Sequence, residues 1–170
     1  MRKTLVMLGV AALAVAAVVA PATAGSSKRQ ADGNIVQTAV AAGQFKTLTA
    51  LVKQAGLAGA LSKPGANLTV FAPTDAAFAK VPKKTLAALG KDKKALQAVL
   101  LYHVVKGKVP AATVVTLNGK SAKTLNGKPV KIAVRGGSVY LNGSTKVVKT
   151  DVMASNGIIH VVNKVLLPPS

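Results

Sequence analysis

The sequence predicts an α+β domain, in which a helical first half is followed by an antiparallel β-sheet. Apolar residues recur at the spacing of amphipathic helices from Ile35 to Leu100. Beyond Val130, short β-branched runs alternate apolar with polar residues, as half-buried strands do. Tight-turn signals separate these runs, with Asn-Gly at 118, 126, 142 and 156 and Gly-Gly at 136. Helices and strands that are segregated along the chain are typical of the α+β class.

The first helices are predicted to be short and amphipathic, with a break at Gly43 between two of them. Their apolar faces consist of Ile35, Val36, Ala39 and Val40, and of Phe45, Leu48, Leu51 and Val52. A further helical turn at 57–61 stops before Pro64-Gly65. The β-branched and aromatic residues at 67–72 then indicate a buried strand, which ends at Pro73.

The chain is predicted to pass abruptly from strand to helix at Thr74 and Asp75. The Thr74 hydroxyl suits an N-cap, because it can accept a hydrogen bond from a backbone N–H group. Asp75 places a negative charge in the first turn of that helix, where the helix dipole favours it. Pro82 suits the first turn of the next helix. The apolar spacing then continues up to Tyr102, where the helical half is expected to end.

The C-terminal half is predicted to be an array of antiparallel hairpins. Val130, Ile132 and Val134 alternate with Lys131 and Ala133, and Val139 and Leu141 flank Tyr140. Each of these strands should therefore bury one face and expose the other to water. Asn-Gly supplies the positive φ angles of type I′ turns, so such turns are expected to connect the strands.

The N-terminus has the features of a secretory signal peptide over residues 1–24. A basic head precedes the apolar run 5–20, and small residues then allow cleavage near Ala24. The run is short for a bilayer span, which needs about 20 residues, although an uncleaved anchor is the alternative. Polar residues 25–33 are predicted to be a flexible leader, and 34–168 a single domain without cysteine. The predicted location is secreted, periplasmic or cell-surface.

Three segments carry a resemblance to a known family: 69–78 (TVFAPTDAAF), 101–105 (LYHVV) and 156–168 (NGIIHVVNKVLLP). In this order and spacing, they closely resemble the two signature boxes and the central Tyr-His box of the fasciclin (FAS1) domain. The resemblance spans 34–168 and implies a wedge, in which a mainly antiparallel sheet packs against a group of short helices. It also implies a secreted or surface-attached protein that mediates cell adhesion or matrix binding. No cofactor is expected.

The resemblance also suggests which residues contact a partner. In animal members, an Asp-Ile pair ahead of the second box and the Tyr-His region have been implicated in receptor binding. The matching residues here are Asp151-Val152 and Tyr102-His103. Valine replaces isoleucine, and 147–150 (VVKT) replaces the acidic context of the animal proteins, which weakens an integrin-type interpretation. Asn163 stands where the family often has aspartate, so we expect a structural hydrogen bond there and no charge pair.

No catalytic or metal site is predicted from the residues. His103 and His160 are flanked by apolar residues, so both are interpreted as hydrogen-bonded structural residues within strands. Asp75 is explained by the start of a helix, and Asp151 by a strand end before a turn. With neither Glu nor Cys in the domain, a protein-only metal site would have too few ligands. An enzyme would instead need a pocket that gathers His103, Asp151 and a third polar group.

The net charge is the feature that the family resemblance leaves unexplained. After removal of 1–24, 21 basic and four acidic residues give a net charge of +17. The candidates for polyanion binding, which follow helical spacing, are Lys80, Lys83, Lys84, Lys91 and Lys94. They predict salt-sensitive docking to anionic envelope polysaccharide, phosphate polymers or a membrane surface. The alternative is a solvated coat that keeps the protein soluble.

The expected partners are therefore macromolecules of a cell surface or matrix. Nucleic acid is disfavoured, because lysines outnumber arginines 19 to 2 after residue 24 and few aromatic rings are present for base stacking. Tyr102 and Tyr140 could offer rings to a partner, although tyrosines on different elements more often close a core. A monomer is favoured over an oligomer.

Overall fold

The computed structural model describes residues 33–169 and consists of short helices packed against one sheet. The helices are Ile35–Ala42 (α1), Lys46–Gln54 (α2), Ala58–Leu61 (α3), Asp75–Ala79 (α4), Lys83–Lys91 (α5), Lys93–Tyr102 (α6) and Ala111–Thr116 (α7). The strands are Leu68–Pro73 (β1), Val104–Lys106 (β2), Ser121–Lys123 (β3), Pro129–Arg135 (β4), Ser138–Leu141 (β5), Thr145–Ala154 (β6) and Gly157–Val162 (β7). The predicted α+β class is confirmed.

The predicted signal peptide, 1–24, and all but the last residue of the predicted leader, 25–33, lie outside the described residues. Among residues 33–169, no helix has the length and apolar content that crossing a bilayer requires.

The N-terminal helices begin and end at residues whose side chains suit those positions. Asn34 caps α1: its Oδ1 accepts from the Gln37 N–H at 3.0 Å, and the Gln37 side chain accepts from the Asn34 N–H at 3.1 Å. The helix ends at Gly43, whose φ of 70° is in the left-handed region that favours glycine. The predicted break between the first two helices is therefore confirmed.

The strands form one sheet in the order β2-β1-β7-β6-β5-β4-β3. Neighbours in this order are antiparallel, except that β1 and β7 run parallel over six paired positions. The two ends of the sheet meet, since Val105 in β2 bridges to Thr124 just after β3. The Leu125 N–H also donates to the Val104 carbonyl at 2.8 Å, so the sheet curls into a nearly closed shape.

The apolar side chains form two clusters, one on each face of the central strands β1 and β7. Val70 and Ile159 lie in the first cluster, which the helices cover together with residues such as Leu48. Phe71 and Val162 point the other way, into a second cluster enclosed by the curl of the sheet. Because both faces of β1 and β7 are buried, their sequences are almost continuously apolar.

Asn156 and Gly157, at the start of β7, join the helices to the sheet. Asn156 is buried, and its Oδ1 accepts from the Ile35 N–H at 2.9 Å while its Nδ2 donates to the Leu61 carbonyl at 2.7 Å. A Cβ on Gly157 would lie 2.0 Å from the carbonyl oxygen of Leu68, so only glycine allows β1 to approach this closely. This pair therefore positions α1, α3 and β1 on one another.

Two predictions about the C-terminal half are corrected. The helical part does not end at Tyr102, because α7 follows β2. Positive φ at both residues, as type I′ turns require, occurs at Asn142-Gly143 and at Gly136-Gly137. At the other three Asn-Gly pairs the asparagine has negative φ, so the prediction of type I′ turns is wrong there.

Candidate functional site

The Tyr102-His103 pair lies where α6 ends and the chain turns into β2. The prediction that His103 lies within a strand is therefore wrong. The two side chains are buried, with 1 % and 2 % of their surface exposed. Neither side chain reaches the surface, which corrects the expectation that this pair contacts a partner directly.

Both ring nitrogens of His103 form hydrogen bonds with the backbone. Nδ1 lies 2.8 Å from the Val99 carbonyl, and Nε2 accepts from the Leu166 N–H at 2.8 Å. Because Nε2 accepts, the imidazole is neutral and carries its proton on Nδ1, which donates to Val99. Burial lowers the pKa of His103 from 6.5 to about 4, against a smaller opposing effect of the Val99 bond. His103 thus fastens the segment after β7 to the end of α6.

The Tyr102 hydroxyl connects α6 to the sheet. It donates to the Pro129 carbonyl at 3.1 Å and accepts from the Asn142 Nδ2 group at 2.8 Å. Pro129 begins β4 and Asn142 lies in the β5–β6 turn. The ring is therefore a core group with a satisfied hydroxyl.

The Asp151-Val152 pair lies in β6, where the pairing with β7 shifts between Lys149 and Val152. The strand does not end there as predicted, since β6 continues to Ala154. Asp151 is exposed and has a φ of 56°, a left-handed conformation that aspartate tolerates better than most residues. Its Oδ1 accepts from the Ala111 N–H at 2.8 Å and thereby caps α7, whose N-cap is Pro110.

His160 lies within β7, as predicted. Its side chain bonds to the backbone at Asp151, where the irregular pairing of β6 with β7 forms a bulge. Its Nδ1 accepts from the Asp151 N–H at 3.3 Å, and its Nε2 lies 2.8 Å from the Val109 carbonyl, to which it donates. The ring stacks on Phe71 with centroids 5.7 Å apart. Burial lowers the pKa of His160, while the Val109 bond and the Asp151 charge oppose that shift.

The pocket that an enzyme would need is not formed by His103 and Asp151. His103 lines an apolar cavity of about 30 Å³, room for roughly one water molecule, together with Val70, Leu100 and similar residues. Asp151 is not among its lining residues. Within residues 33–169, no three His, Asp or Glu side chains lie close enough together to hold a metal ion.

Thr74 and Asp75 cap two different helices. The Thr74 Oγ1 accepts from the Ala77 N–H at 3.2 Å and caps α4 as predicted. The Asp75 carboxylate reaches back to α2, where it accepts from the N–H groups of Thr47 at 2.8 Å and Lys46 at 3.3 Å. The hydrogen bond from the Thr47 N–H is the main cause that lowers the pKa of Asp75. Asp75 therefore joins two helices that are separated by β1.

Asn163 continues the pairing of β6 and β7 beyond the end of β7. Its Oδ1 accepts from the Lys146 N–H at 3.0 Å, and its own N–H donates to the Lys146 carbonyl at 3.1 Å. The Asn163 carbonyl in turn accepts from the Lys80 ammonium at 3.3 Å. The amide thus makes the structural hydrogen bond that its chemistry allows.

The five lysines proposed for polyanion binding do not lie on one element. Lys83, Lys84 and Lys91 are exposed on α5, where a rotation of 100° per residue places them within one side of the helix. Lys94 lies in the first turn of α6, and Lys80 follows α4 and points to Asn163. A shared face therefore exists for the three lysines of α5.

The described acidic residues are all engaged with helix N-termini. Asp75 caps α2, Asp151 caps α7, and the Asp92 Oδ1 caps α6 by accepting from Lys94 and Ala95 N–H groups. Residues 33–169 contain 18 lysines, one arginine and three aspartates, a net charge of +16. The carboxylates are thus placed to hold the backbone, and the basic surface is left largely uncompensated.

Thr69 is a buried polar residue that was not predicted to have a role, and it positions the loop before α7. Thr69 is fully buried, and its Oγ1 donates to the Gly107 carbonyl at 2.6 Å and accepts from the Val109 N–H at 2.8 Å. These bonds fasten the loop before α7 to β1. A signal was present, because a threonine in a strand buried on both faces must find partners inside the protein.

Comparison with known proteins gives a consistent result. Residues 43–168 match the family model of the Fasciclin domain. Protein sll1483 of Synechocystis sp. is 46 % identical over 139 residues, which are 79 % of this chain and 73 % of that protein. Transforming growth factor-beta-induced protein ig-h3 of Sus scrofa is 34 % identical over 137 residues, 81 % of this chain and 20 % of that protein.

A solved structure shares the fold. The FAS1 domain pair from the insect cell adhesion molecule Fasciclin I superposes with a TM-score of 0.66 and 17 % sequence identity. The match covers 81 % of this chain and 51 % of that one. The wedge architecture that the three sequence segments implied is therefore confirmed.

Proposed function

The chain belongs to the fasciclin domain family, and from that premise we propose that it is a non-catalytic adhesion module, which binds macromolecules of a cell surface or extracellular matrix. The observation that carries the proposal is that the histidine and aspartate side chains are engaged in holding the backbone. Both histidines and the three described aspartates form hydrogen bonds with the backbone. Such groups hold the fold and are not arranged around a space for a substrate.

The Asp151-Val152 bulge is the proposed contact with a partner. Asp151 is exposed and Val152 is half-buried, and their backbone is held from within by the Asp151–His160 hydrogen bond. A rigid, exposed bulge loses little conformational entropy when a partner binds, which favours affinity. In this proposal the bulge is part of the adhesive surface. The protein acts as a secreted molecule, in the periplasm or at the cell surface.

Retention of the protein on whole cell envelopes tests the proposal. Asp151→Asn removes the charge but keeps an oxygen that caps α7, so we expect weaker retention with an unchanged fold. Asp92→Asn is the matched control, because Asp92 is also an exposed aspartate that caps a helix. Equal retention of both variants would exclude the bulge, and turnover in a hydrolase screen that His160→Gln abolishes would contradict the non-catalytic part.

A second candidate function is electrostatic binding of anionic envelope polymers through Lys80, Lys83, Lys84, Lys91 and Lys94. The observation that favours it is the first turn of α5, which carries Lys83 and Lys84 without an acidic residue or a side-chain cap. Positive charge is unfavourable at a helix N-terminus, so these lysines cost stability where they stand. Retention that does not fall between low and high salt would exclude this function.

A further inference from the structure

The outward face of β3 to β6 combines basic residues with one aromatic ring. Strand residues alternate between faces, and the inward residues of this part of the sheet are buried in the second apolar cluster, as Ile132 and Leu141 show. The opposite face carries Lys123, Lys131, Arg135, Tyr140 and Lys146, which we call the Tyr140 face. The first three are exposed, and Tyr140 and Lys146 are half-buried.

The strand register places these residues next to one another. Tyr140 pairs with Ala133 on one side and with Lys146 on the other. Directly opposite residues have Cβ atoms about 5 Å apart, and the diagonal neighbours of Tyr140 on β4 are Lys131 and Arg135, about 7 Å away. The tyrosine is therefore at the centre of three cations. Ala133, directly opposite Tyr140, contributes only a small side chain.

No acidic residue in the described part of the chain lies on the Tyr140 face. The described aspartates lie elsewhere, since Asp75 and Asp92 belong to helices and Asp151 is bonded to α7. The site thus offers cations and an aromatic ring to the same ligand.

This combination suits an acidic sugar chain. The apolar C–H face of a pyranose covers an aromatic ring, and carboxylates form charge-assisted hydrogen bonds with ammonium and guanidinium groups. A base-stacking surface would use several rings along a strand of nucleic acid, whereas one ring is central here. We propose that the Tyr140 face binds an anionic polysaccharide of the polyuronate class, with Tyr140 stacked on a sugar and Lys131, Arg135 and Lys146 paired with its carboxylates.

The proposal rests on the adhesive function proposed above and names the partner and the face. Titration calorimetry with polygalacturonate measures it, and neutral dextran is the ligand control. The variant K131Q/R135Q/K146Q removes three charges from the face. K46Q/K53Q/K63Q removes three from exposed lysines on and after α2, which belong to neither proposed binding surface. Because both variants change the net charge equally, a local site predicts at least about tenfold weaker binding for the first and less than about threefold for the second.

A change of the ring tests the stacking step without a change of charge. Tyr140→Thr removes the ring, introduces a β-branched residue that strands favour and should weaken binding about tenfold, while Tyr140→Phe should bind nearly as well as the wild type. Thermal unfolding of each variant shows whether it retains the fold. Equal losses for the two triple variants, or no loss for Tyr140→Thr in a folded protein, would overturn the proposal.

Envelope retention, measured on the same proteins, separates the two proposals. A wild type that is retained on envelopes but does not bind polygalacturonate overturns the polyuronate site and leaves the adhesive function in place. A wild type that is not retained on envelopes counts against the adhesive function itself. Tighter binding of the Tyr140 face to duplex DNA or to phosphatidylserine vesicles than to polygalacturonate would also overturn the polysaccharide assignment.

Discussion

Two pairs of residues match family positions that are implicated in partner binding in animal members. Tyr102-His103, which we call the joint because it lies between α6 and β2, is buried, whereas the Asp151-Val152 bulge is largely accessible to solvent. The joint is inside, where its polar atoms bond to the backbone and to Asn142. The bulge is outside, with an exposed Asp151 in a left-handed conformation. A motif that identifies a family can therefore mark the packing of the interior in one place and an accessible surface in another.

The physical difference between them is the cost of an unmade hydrogen bond. In the joint, water cannot replace a lost partner, so each buried polar group must be satisfied by the protein. At the bulge, solvent reaches Asp151 and can take over part of its bonding. Changes in the joint should therefore act on stability, and changes at the bulge should act mainly on binding.

His103→Leu should have the largest effect on stability. It leaves the Leu166 N–H without its present acceptor and the Val99 carbonyl without its present donor, both in the interior. At about 1 to 3 kcal/mol for each group, we expect a loss of about 4 kcal/mol in the free energy of unfolding. Urea denaturation at neutral pH measures this loss.

His103→Gln is the control for that experiment. Its side-chain oxygen can accept from the Leu166 N–H in place of Nε2, so it should recover part of the stability that leucine loses. If His103→Leu and His103→Gln lower the free energy of unfolding equally, the side-chain hydrogen bonds of His103 do not account for the loss of stability.

The joint also predicts how stability changes with pH. The pKa of His103 is lowered from 6.5 to about 4, so between these values the unfolded chain binds a proton that the folded chain does not. The contribution is present in full above pH 6.5 and is lost as the pH falls toward 4, which amounts to roughly 3 kcal/mol. The lowered pKa of His160 acts in the same direction.

Unfolding free energies measured from pH 7.5 to pH 4 check this prediction. The His103→Gln variant should show a flatter profile over this range, because glutamine does not titrate. A variant profile as steep as that of the wild type would assign the pH dependence to other groups.

The smallest effect is expected at the bulge. Asp151→Ala removes the cap of α7 and places an alanine at a φ of 56°, which together should cost about 2 kcal/mol. Asp151→Asn keeps a capping oxygen and tolerates this φ, so its stability should lie within about 0.5 kcal/mol of the wild type. Thermal unfolding of the two variants measures the difference. A loss with asparagine as large as with alanine would contradict the capping role.

The parts of the fold that depend on neighbouring residues could be predicted from the sequence. Gly43 ends a helix and Thr74 begins one because of the conformations and bonds available to each residue by itself. The alternation at Val130 and Ile132 likewise depends on local geometry and correctly gave the buried face of β4. Local chemistry was sufficient wherever an element is defined by its own side chains.

The remaining parts depend on residues that are distant in sequence. The Asp75 carboxylate was correctly placed at a helix start, but its second role as the cap of α2 depends on folding across β1. The parallel pairing of β1 and β7 was also missed, because hairpin signals report only antiparallel neighbours. The burial of Tyr102 follows from Pro129 and Asn142, which lie in other elements. Long-range pairing leaves no periodic pattern in the sequence.

The bond between the Ile35 N–H and Asn156 Oδ1 spans 121 residues and has a consequence for the order of folding. Together with the parallel pairing of β1 with β7, it means that the first helix and the first strand lack their final partners until the end of the chain is available. Closing such long loops costs entropy before any contact compensates, and domains dominated by distant contacts fold slowly. A growing chain therefore cannot complete this fold until its last strand has been synthesised.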